Sequence, residues 1–295
     1  MMESTIRTET VIIGAGLSGL ILAVSLQQNA RPIIVLEKSK GVGGRISTRR
    51  INNLGFDHGT PYWSDHYPVP ASLTSLMRKD HKGIFIEGGM NQFAKFFSQT
   101  LPIQRETRVT RISKNADTWL LSTDSGHLYE AKNVVLTAPL PQARELLIQS
   151  GFAQEMIPEI TYSKTVLSLN VLNELPSDTS QFNPSIFSFQ NLRNLHPLGV
   201  IINPGDEFAE KYFEETDEEI LKKIAAFSDQ AGLPLNVKTS ELKKWRYARP
   251  LSHLQESYLE VDENLFLIGD FFSPGQIDGA LSSAEALSKH LTRAI

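Results

Sequence analysis

The run Thr10-Val11-Ile12-Ile13 passes straight into Gly14-Ala15-Gly16-Leu17-Ser18-Gly19 and then into an apolar helical stretch, Leu20 to Leu26. A β-branched strand, a tight glycine turn and a helix in that order leave few folds open. Gly14 permits the bend, Gly16 lets backbone approach a pyrophosphate, and Gly19 lets helix and strand pack closely. The helix start at Leu17 and Ser18 then offers unpaired amides and a positive dipole end to phosphates. A second buried strand, Pro32 to Leu36, ends in Glu37, 18 residues past Gly19, where a carboxylate accepts hydrogen bonds from ribose hydroxyls. An acidic residue there disfavours a ribose carrying a 2′-phosphate.

Composition bounds the rest. With 295 residues the chain is about twice the usual domain length of roughly 150. Its 41% hydrophobic and 21% charged residues fit a folded protein. Lys plus Arg number 29 against 33 Asp plus Glu, a net charge of −4, the wrong sign for gripping nucleic acid. There is no cysteine, so disulfides, thiolate metal sites and sulfur-linked cofactors are excluded, which fits a reducing cytoplasm. No run reaches a membrane span or reads as a signal peptide, so neither membrane nor export is expected. His58, His66, His81, His127, His196, His253 and His290 never fall in metal-ligand spacing, and no metal is expected.

After Glu37 comes a second glycine cluster, Lys38-Ser39-Lys40-Gly41-Val42-Gly43-Gly44-Arg45, in which Arg45 can fork onto phosphate. A plain nicotinamide dehydrogenase has no need of it. These residues resemble the opening of the flavin amine oxidase superfamily, whose members carry a Gly-Gly-Arg sequence behind the acidic ribose ligand. The resemblance continues in Phe56-Asp57-His58-Gly59-Thr60-Pro61-Tyr62-Trp63 and in Gly88-Gly89-Met90-Asn91-Gln92-Phe93 before a helix. It is most specific at Asn264 to Gly269-Asp270 and at Ile277-Asp278-Gly279-Ala280-Leu281. There the strand-end carboxylate Asp270 would meet the ribityl or pyrophosphate region, and a helix beginning near Gly279 would aim its positive end at the flavin ring. Leu281, Ala284, Leu287, Leu291 and Ile295 form that helix's core stripe.

The resemblance implies an α/β protein with a glutathione-reductase-type, Rossmann-like FAD-binding domain interrupted by a smaller α+β substrate domain. The boundaries expected are 1–62, 82–142 and 252–295 for the first and 63–81 with 143–251 for the second. FAD would be bound noncovalently through Gly14, Gly16, Leu17, Ser18, Gly19, Glu37, Lys38, Gly43, Gly44, Arg45, Gly59, Thr60, Val109, Gly269, Asp270, Asp278, Gly279 and Ala280. Three short strands, Thr107 to Ile112, Trp119 to Thr123 and Gly126 to Tyr129, precede a buried return strand at Asn133 to Pro139. In the family the backbone at Val109 lies against the adenine, while the residue itself reads equally as a core valine.

The substrate region has short β-rich runs at Thr165 to Leu172, Ser185 to Phe189 and Leu198 to Ile202, a flap over 63–81, and a capping box at Thr216 to Glu219 that opens an amphipathic helix. Lys244-Trp245-Arg246-Tyr247-Ala248-Arg249-Pro250 is most similar to renalase-like members. Lys164 sits where many amine oxidases hold a water beside the flavin, a lysine that renalase-like members often lack; it reads equally as a strand-end surface lysine. Trp245 and Tyr62 either wall the flavin or fill the core. Arg246 and Arg249 either steer an anionic substrate or pair with carboxylates. The implied chemistry is hydride removal from an amine or dihydronicotinamide-type small molecule, with electrons passed to dioxygen. An isoprenoid desaturase and a non-catalytic flavin-binding protein are the alternatives. The oligomeric state is not legible.

Overall fold

A computed structural model describes residues 5–80, 83–174, 187–190, 199–232 and 234–293. His81, His196, Ile295, Ser185, Leu198 and the residue after Ser185 lie outside them. The elements are β1 (Ile6–Ile13), α1 (Leu17–Gln28), β2 (Ile33–Leu36), β3 (Thr48–Ile51), β4 (Leu54–Asp57), β5 (Met77–Asp80), β6 (Gly83–Ile86), α2 (Asn91–Ser98), β7 (Ile103–Gln104), β8 (Val109–Asn115), β9 (Thr118–Thr123) and β10 (Leu128–Leu136). They continue with α3 (Leu140–Gln149), β11 (Tyr162–Leu172), β12 (Phe187–Gln190), β13 (Gly199–Ile202), α4 (Asp206–Tyr212), α5 (Asp217–Gln230), β14 (Val237–Pro250), β15 (Leu259–Asp262), β16 (Leu265–Leu267) and α6 (Gln276–Arg293). Among the described residues no helix is long and apolar enough to cross a membrane.

The chain divides into two compact units. The first is Met1–Ile46, Asn91–Thr161 and Pro250–Ile295, and the second is Ser47–Met90 and Tyr162–Arg249. Four segments fall outside the expected boundaries: 47–62 and 82–90 lie in the second unit, and 143–161 and 250–251 in the first. The hairpin β3–β4 belongs to the second unit because Ile51 and Phe56 bury themselves among Leu167, Leu169, Val171 and Ile201. The segment 143–161 belongs to the first, where the Ser150 hydroxyl accepts the Ile112 amide of β8 at 2.9 Å.

In the first unit the main sheet runs β15-β16-β10-β1-β2-β7. β16, β10, β1, β2 and β7 run parallel to one another, so their carboxyl ends share one edge. From β1 the chain moves outward to β2 and β7 on one side and returns to β10 and β16 on the other. That reversal beside β1 opens the crevice in which such sheets take ligands. The expected third meander strand and the return strand are one strand, β10. One of its edges pairs with β1 from Tyr129 to Leu136; the other pairs with β9 from Leu128 to Ala131 and with β16 from Val134 to Leu136. Between Tyr129 and Asn133 there is no turn former, and buried Asn133 donates to the Thr10 hydroxyl at 3.2 Å, which keeps the strand continuous.

The second unit is built on the sheet β12-β13-β11-β14. Alternation along β11 and β13 gives it two apolar faces. Val166, Leu172, Val200 and Ile202 pack on Ala209, Phe213, Ile220 and Ile224 of the segment carrying α4 and α5, and the opposite face holds the β3–β4 hairpin. α5 opens with the expected capping box: Thr216 accepts the Glu219 amide and Glu219 accepts the Thr216 amide. Gly232 follows its end at φ +78°.

The Gly88-Gly89-Met90 and Phe56-Asp57 motifs meet in one hydrogen-bonded knot. Buried Asp57 accepts from the Thr48 hydroxyl at 2.6 Å and from the Met90 amide at 2.9 Å. Gly89 has φ +104°, and a Cβ there would lie 2.4 Å from the Thr48 hydroxyl oxygen. Asp57→Ala removes the acceptor of the buried Met90 amide and of the half-buried Thr48 hydroxyl and is expected to destabilise the protein by about 1–3 kcal/mol. Gly89→Ala combines left-handed backbone with a clash and is expected to lose at least about 1–2 kcal/mol. Urea midpoints measure both, and a midpoint unchanged in either variant would contradict the knot's role.

Candidate functional site

The carboxyl ends of β1, β2, β10 and β16 bring Gly14, Glu37, Thr137 and Gly269-Asp270 to one edge of the first unit's sheet. Gly14 has φ +111°, and a Cβ on Gly19 would stand 2.1 Å from the Gly14 carbonyl oxygen, so helix and turn meet backbone to backbone. A Cβ on Gly16 would meet nothing within 4 Å; its surroundings are the open space a phosphate needs. The second glycine cluster stacks on the first: the Gly43 amide donates to the Ala15 carbonyl at 2.8 Å, and Gly16 and Gly43 form a parallel bridge.

Buried Glu37 is held from two sides. One carboxylate oxygen accepts the Ala15 amide at 2.8 Å and the other the Ser39 amide at 2.8 Å. Each oxygen keeps the geometry to accept a second donor, so these residues fit a ribose diol. The segment leading into β8 runs alongside, with the Thr107 amide on the Glu37 carbonyl at 3.0 Å, and Val109 two residues on is buried. Lys38 is exposed and its amine reaches Gln142 at 3.4 Å. Leu17, Ser18 and Ala280 are buried.

Arg45 forks onto Asp270, with its two terminal nitrogens 2.6 and 2.7 Å from the two carboxylate oxygens. The pair joins the second glycine cluster to the turn after β16 across 225 positions of sequence. α6 begins at Gln276 rather than Gly279, which puts Asp278, Gly279 and Ala280 within its first turns. Gly279 cannot carry a side chain, because a Cβ would lie 2.2 Å from the Phe272 carbonyl oxygen. Thr137 is the residue that motif reading missed. Its hydroxyl stands 3.1 Å from both the Ile13 and Gly14 carbonyls and 2.5 Å from where a Gly14 Cβ would be. The only signal for it is a small hydroxyl residue at the end of the return strand.

In the second unit the site residues separate. Trp245 donates its indole N–H to the His58 carbonyl at 2.8 Å and lies against the His58 ring, centroids 5.4 Å apart and planes 20° from parallel. Half-buried Gly59 and Thr60 follow His58 directly. Tyr62 packs its ring edge-on to Phe85, 6.4 Å away. Lys164 is held by Glu210 at 2.9 Å and sits 5.7 Å from the centre of the Phe213 ring. Arg246 forks onto Glu214 at 2.8 and 3.0 Å, and Arg249 pairs with Asp206; both arginines take the carboxylate-pairing alternative.

Burial, reinforced by the cations Lys243 and Arg49 and opposed by Glu241, pushes the His58 imidazole down to about 4 from the usual 6.5. Its folded value lies below its unfolded one, so its share of stability is complete above pH 6.5, falls as the pH drops from 6.5 towards 4, and is gone below that. Between pH 7 and pH 5 wild type is therefore expected to lose about 2 kcal/mol more than His58→Phe. Parallel urea titrations of the two proteins measure the difference, and equal losses would refute it.

Residues 70–291 match the family described as flavin containing amine oxidoreductase, and residues 12–77 match the NAD(P)-binding Rossmann-like domain. Renalase of Mus musculus is 24% identical over an alignment of 345 residues that covers 98% of this chain and 100% of that protein. A Drosophila melanogaster protein described as possible lysine-specific histone demethylase 1 is 43% identical over 67 residues, 23% of this chain and only 8% of that protein. Among solved structures, a putative protoporphyrinogen oxidase from Exiguobacterium sp. 255-15 shares the fold at a TM-score of 0.75 and 13% identity, over 99% of this chain and 100% of that one. With three quarters of its length inside one family's match and that family's glycine, Glu37 and Gly-Asp features at one sheet edge, the chain belongs to the flavin-containing amine oxidoreductases.

Proposed function

We propose that the first unit binds FAD noncovalently and that the protein uses it to take a hydride from an amine or a dihydronicotinamide-type small molecule, with dioxygen as electron acceptor and hydrogen peroxide as product. The observation that carries this reading is Glu37, fixed by two backbone amides beside the open face of Gly16. Bound flavin supplies the hydride acceptor that the chain's own side chains lack. Glu37 takes the ribose hydroxyls; the amides of the Gly14–Gly19 turn, with the positive end of α1, hold the pyrophosphate. Asp270, steadied by Arg45, orients the ribityl region, and the 18-residue helix α6 favours negative charge developing before its start. Of the second unit's residues, Gly59 and Thr60 are assigned to cofactor binding and Tyr62 and Trp245 to substrate recognition.

Lys164 is left out of the reacting group. Its amine is taken up by Glu210 and Phe213, on the face of β11 that α4 and α5 cover, so we give it the role of a strand-to-helix ion pair.

Three measurements test this reading. Glu37→Gln offers the Ala15 and Ser39 amides one acceptor oxygen in place of two, and FAD affinity followed by flavin fluorescence is expected to fall about 10- to 100-fold, roughly 1.4–2.8 kcal/mol. Affinity equal to wild type would remove Glu37 from the site. Anaerobic mixing with an amine panel and with dihydronicotinamide isomers is expected to bleach the flavin with one of the two classes; bleaching by neither sinks the proposed chemistry. Lys164→Met is expected to keep reoxidation by dioxygen within about twofold of wild type, roughly 0.4 kcal/mol in barrier. A much slower reoxidation would return that lysine to the reacting group.

A further inference from the structure

His58 stands in the second unit's motif between buried Asp57 and the Gly59-Thr60 pair, and nothing above gives it a task. Three features set it apart. Its backbone carbonyl accepts the Trp245 indole N–H at 2.8 Å while its ring stacks on the same indole, so one residue grips Trp245 at two points. Its Nε2 lies 3.3 Å from the Ser47 hydroxyl, whereas its Nδ1 is buried without a hydrogen-bond partner. An unpaired buried ring nitrogen is unfavourable by about 1–3 kcal/mol, so packing alone would favour phenylalanine here.

The charges around the ring explain why it stays put. Lys243 and Glu241 approach from β14 and Arg49 from β3; Glu241 binds Arg49 at 2.9 Å and Lys243 at 3.6 Å. Two cations and one anion face the imidazole, and they oppose a further positive charge on it. A neutral imidazole is a flat, polarisable plate that stacks on indole. A charged one would seek water and repel Lys243 and Arg49.

We propose that His58 is the positioning residue for Trp245: ring and carbonyl together hold the indole in one orientation and tie β14 to the loop carrying Gly59 and Thr60. The functional weight of this rests on the reading of Trp245 as a substrate-recognition residue. The indole cannot turn about its side-chain bonds without losing both the N–H bond and the stack.

Tryptophan emission of the protein without flavin tests it directly. The chain has three tryptophans, and subtracting the emission of Trp245→Phe isolates that of Trp245. Acrylamide quenching of this component is expected to rise about twofold or more in His58→Leu, which removes the plate, and to stay near wild type in His58→Phe, which restores a plate without nitrogens. Should His58→Leu fail to fold, His58→Gln carries the same expectation. In wild type the component is expected to stay flat from pH 8 to pH 5, because His58 remains neutral throughout. Quenching unchanged by loss of the ring, no rescue by phenylalanine, or a step near pH 6.5 that vanishes in His58→Phe would each overturn the proposal. Flavin bleaching rates of Trp245→Phe keep the two readings apart: rates equal to wild type would take Trp245 out of substrate recognition while the emission result still decides what His58 does.

Discussion

Backbone meeting backbone, with no room for a side chain, is the constraint on which the first unit depends. The Gly14 carbonyl lies where a Gly19 Cβ would be, and Gly43 holds φ +109° with the Ala94 methyl 2.8 Å from its own missing Cβ. Such contacts let α1 start directly at the end of β1 and let the second glycine cluster lie on the first turn. The Thr137 hydroxyl fills the notch this leaves, sharing its one proton between the Ile13 and Gly14 carbonyls. From that base Arg45 is delivered to Asp270. A fork of this kind, with Asp270 almost fully buried, is easier to break than to replace: loss of either partner removes two charge-assisted bonds from the other, an effect of about 3–5 kcal/mol in fully buried pairs and less at the partly exposed Arg45.

Much of the first unit was legible because its signals are local and leave no substitute. A strand, three glycines at fixed spacing and an acidic residue after the next strand describe one turn and one helix start. The turn of Gly88-Gly89-Met90 announced α2 for a similar reason. The parts that were not legible depend on partners far along the chain. The sequence reads as two strands where β10 is one, because one of its edges answers to β9 in the first half and to β16 in the second, and nothing local says that one edge serves two neighbours. The β3–β4 hairpin follows the first unit in sequence, yet Phe56 decides its home by burying against β11 and β13. Thr137 and His58 carry no role legible in the sequence for a further reason: a threonine at a strand end and a lone histidine acquire meaning only from what stands opposite them.

The electrostatics of the second unit follow the same logic. Lys164, Lys244 and Arg246 converge on the single buried ring of Phe213, at 5.7, 5.3 and 4.8 Å, and each has an anionic or carbonyl partner on the segment from α4 to α5: Glu210, the Glu215 carbonyl and Glu214. Exposed pairs of this sort contribute about 0–1 kcal/mol apiece. Their common anchor is the aromatic face, which holds cations by its quadrupole even where water weakens the ion pairs. The acidic run after α4 is thus the complement of a basic strand, and the capping box at Thr216 uses its last member, Glu219, for the helix start.

Parity along a strand settles which chemistry each of these cations can reach. On β11, Val166 and Leu172 face the helices, and Lys164, an even number of residues away, faces them too; Leu167, Leu169 and Val171 face the hairpin that carries Phe56. On β14 the alternation repeats, with Lys244 and Arg246 over Phe213 and with Lys243 and Trp245 beside His58. A shift of one residue in either strand would exchange the two sets. Lys164 would then stand with the hairpin, and Trp245 would be buried under α4 with no carbonyl for its N–H. The apolar residues on both faces forbid that shift, since it would turn Val166 and Leu172 away from Ile220 and Ile224. The position of one lysine and one tryptophan is therefore fixed by the burial of their aliphatic neighbours: the alternation that seats Lys164 against Glu210 and Phe213 on β11 seats Trp245 against His58 on β14.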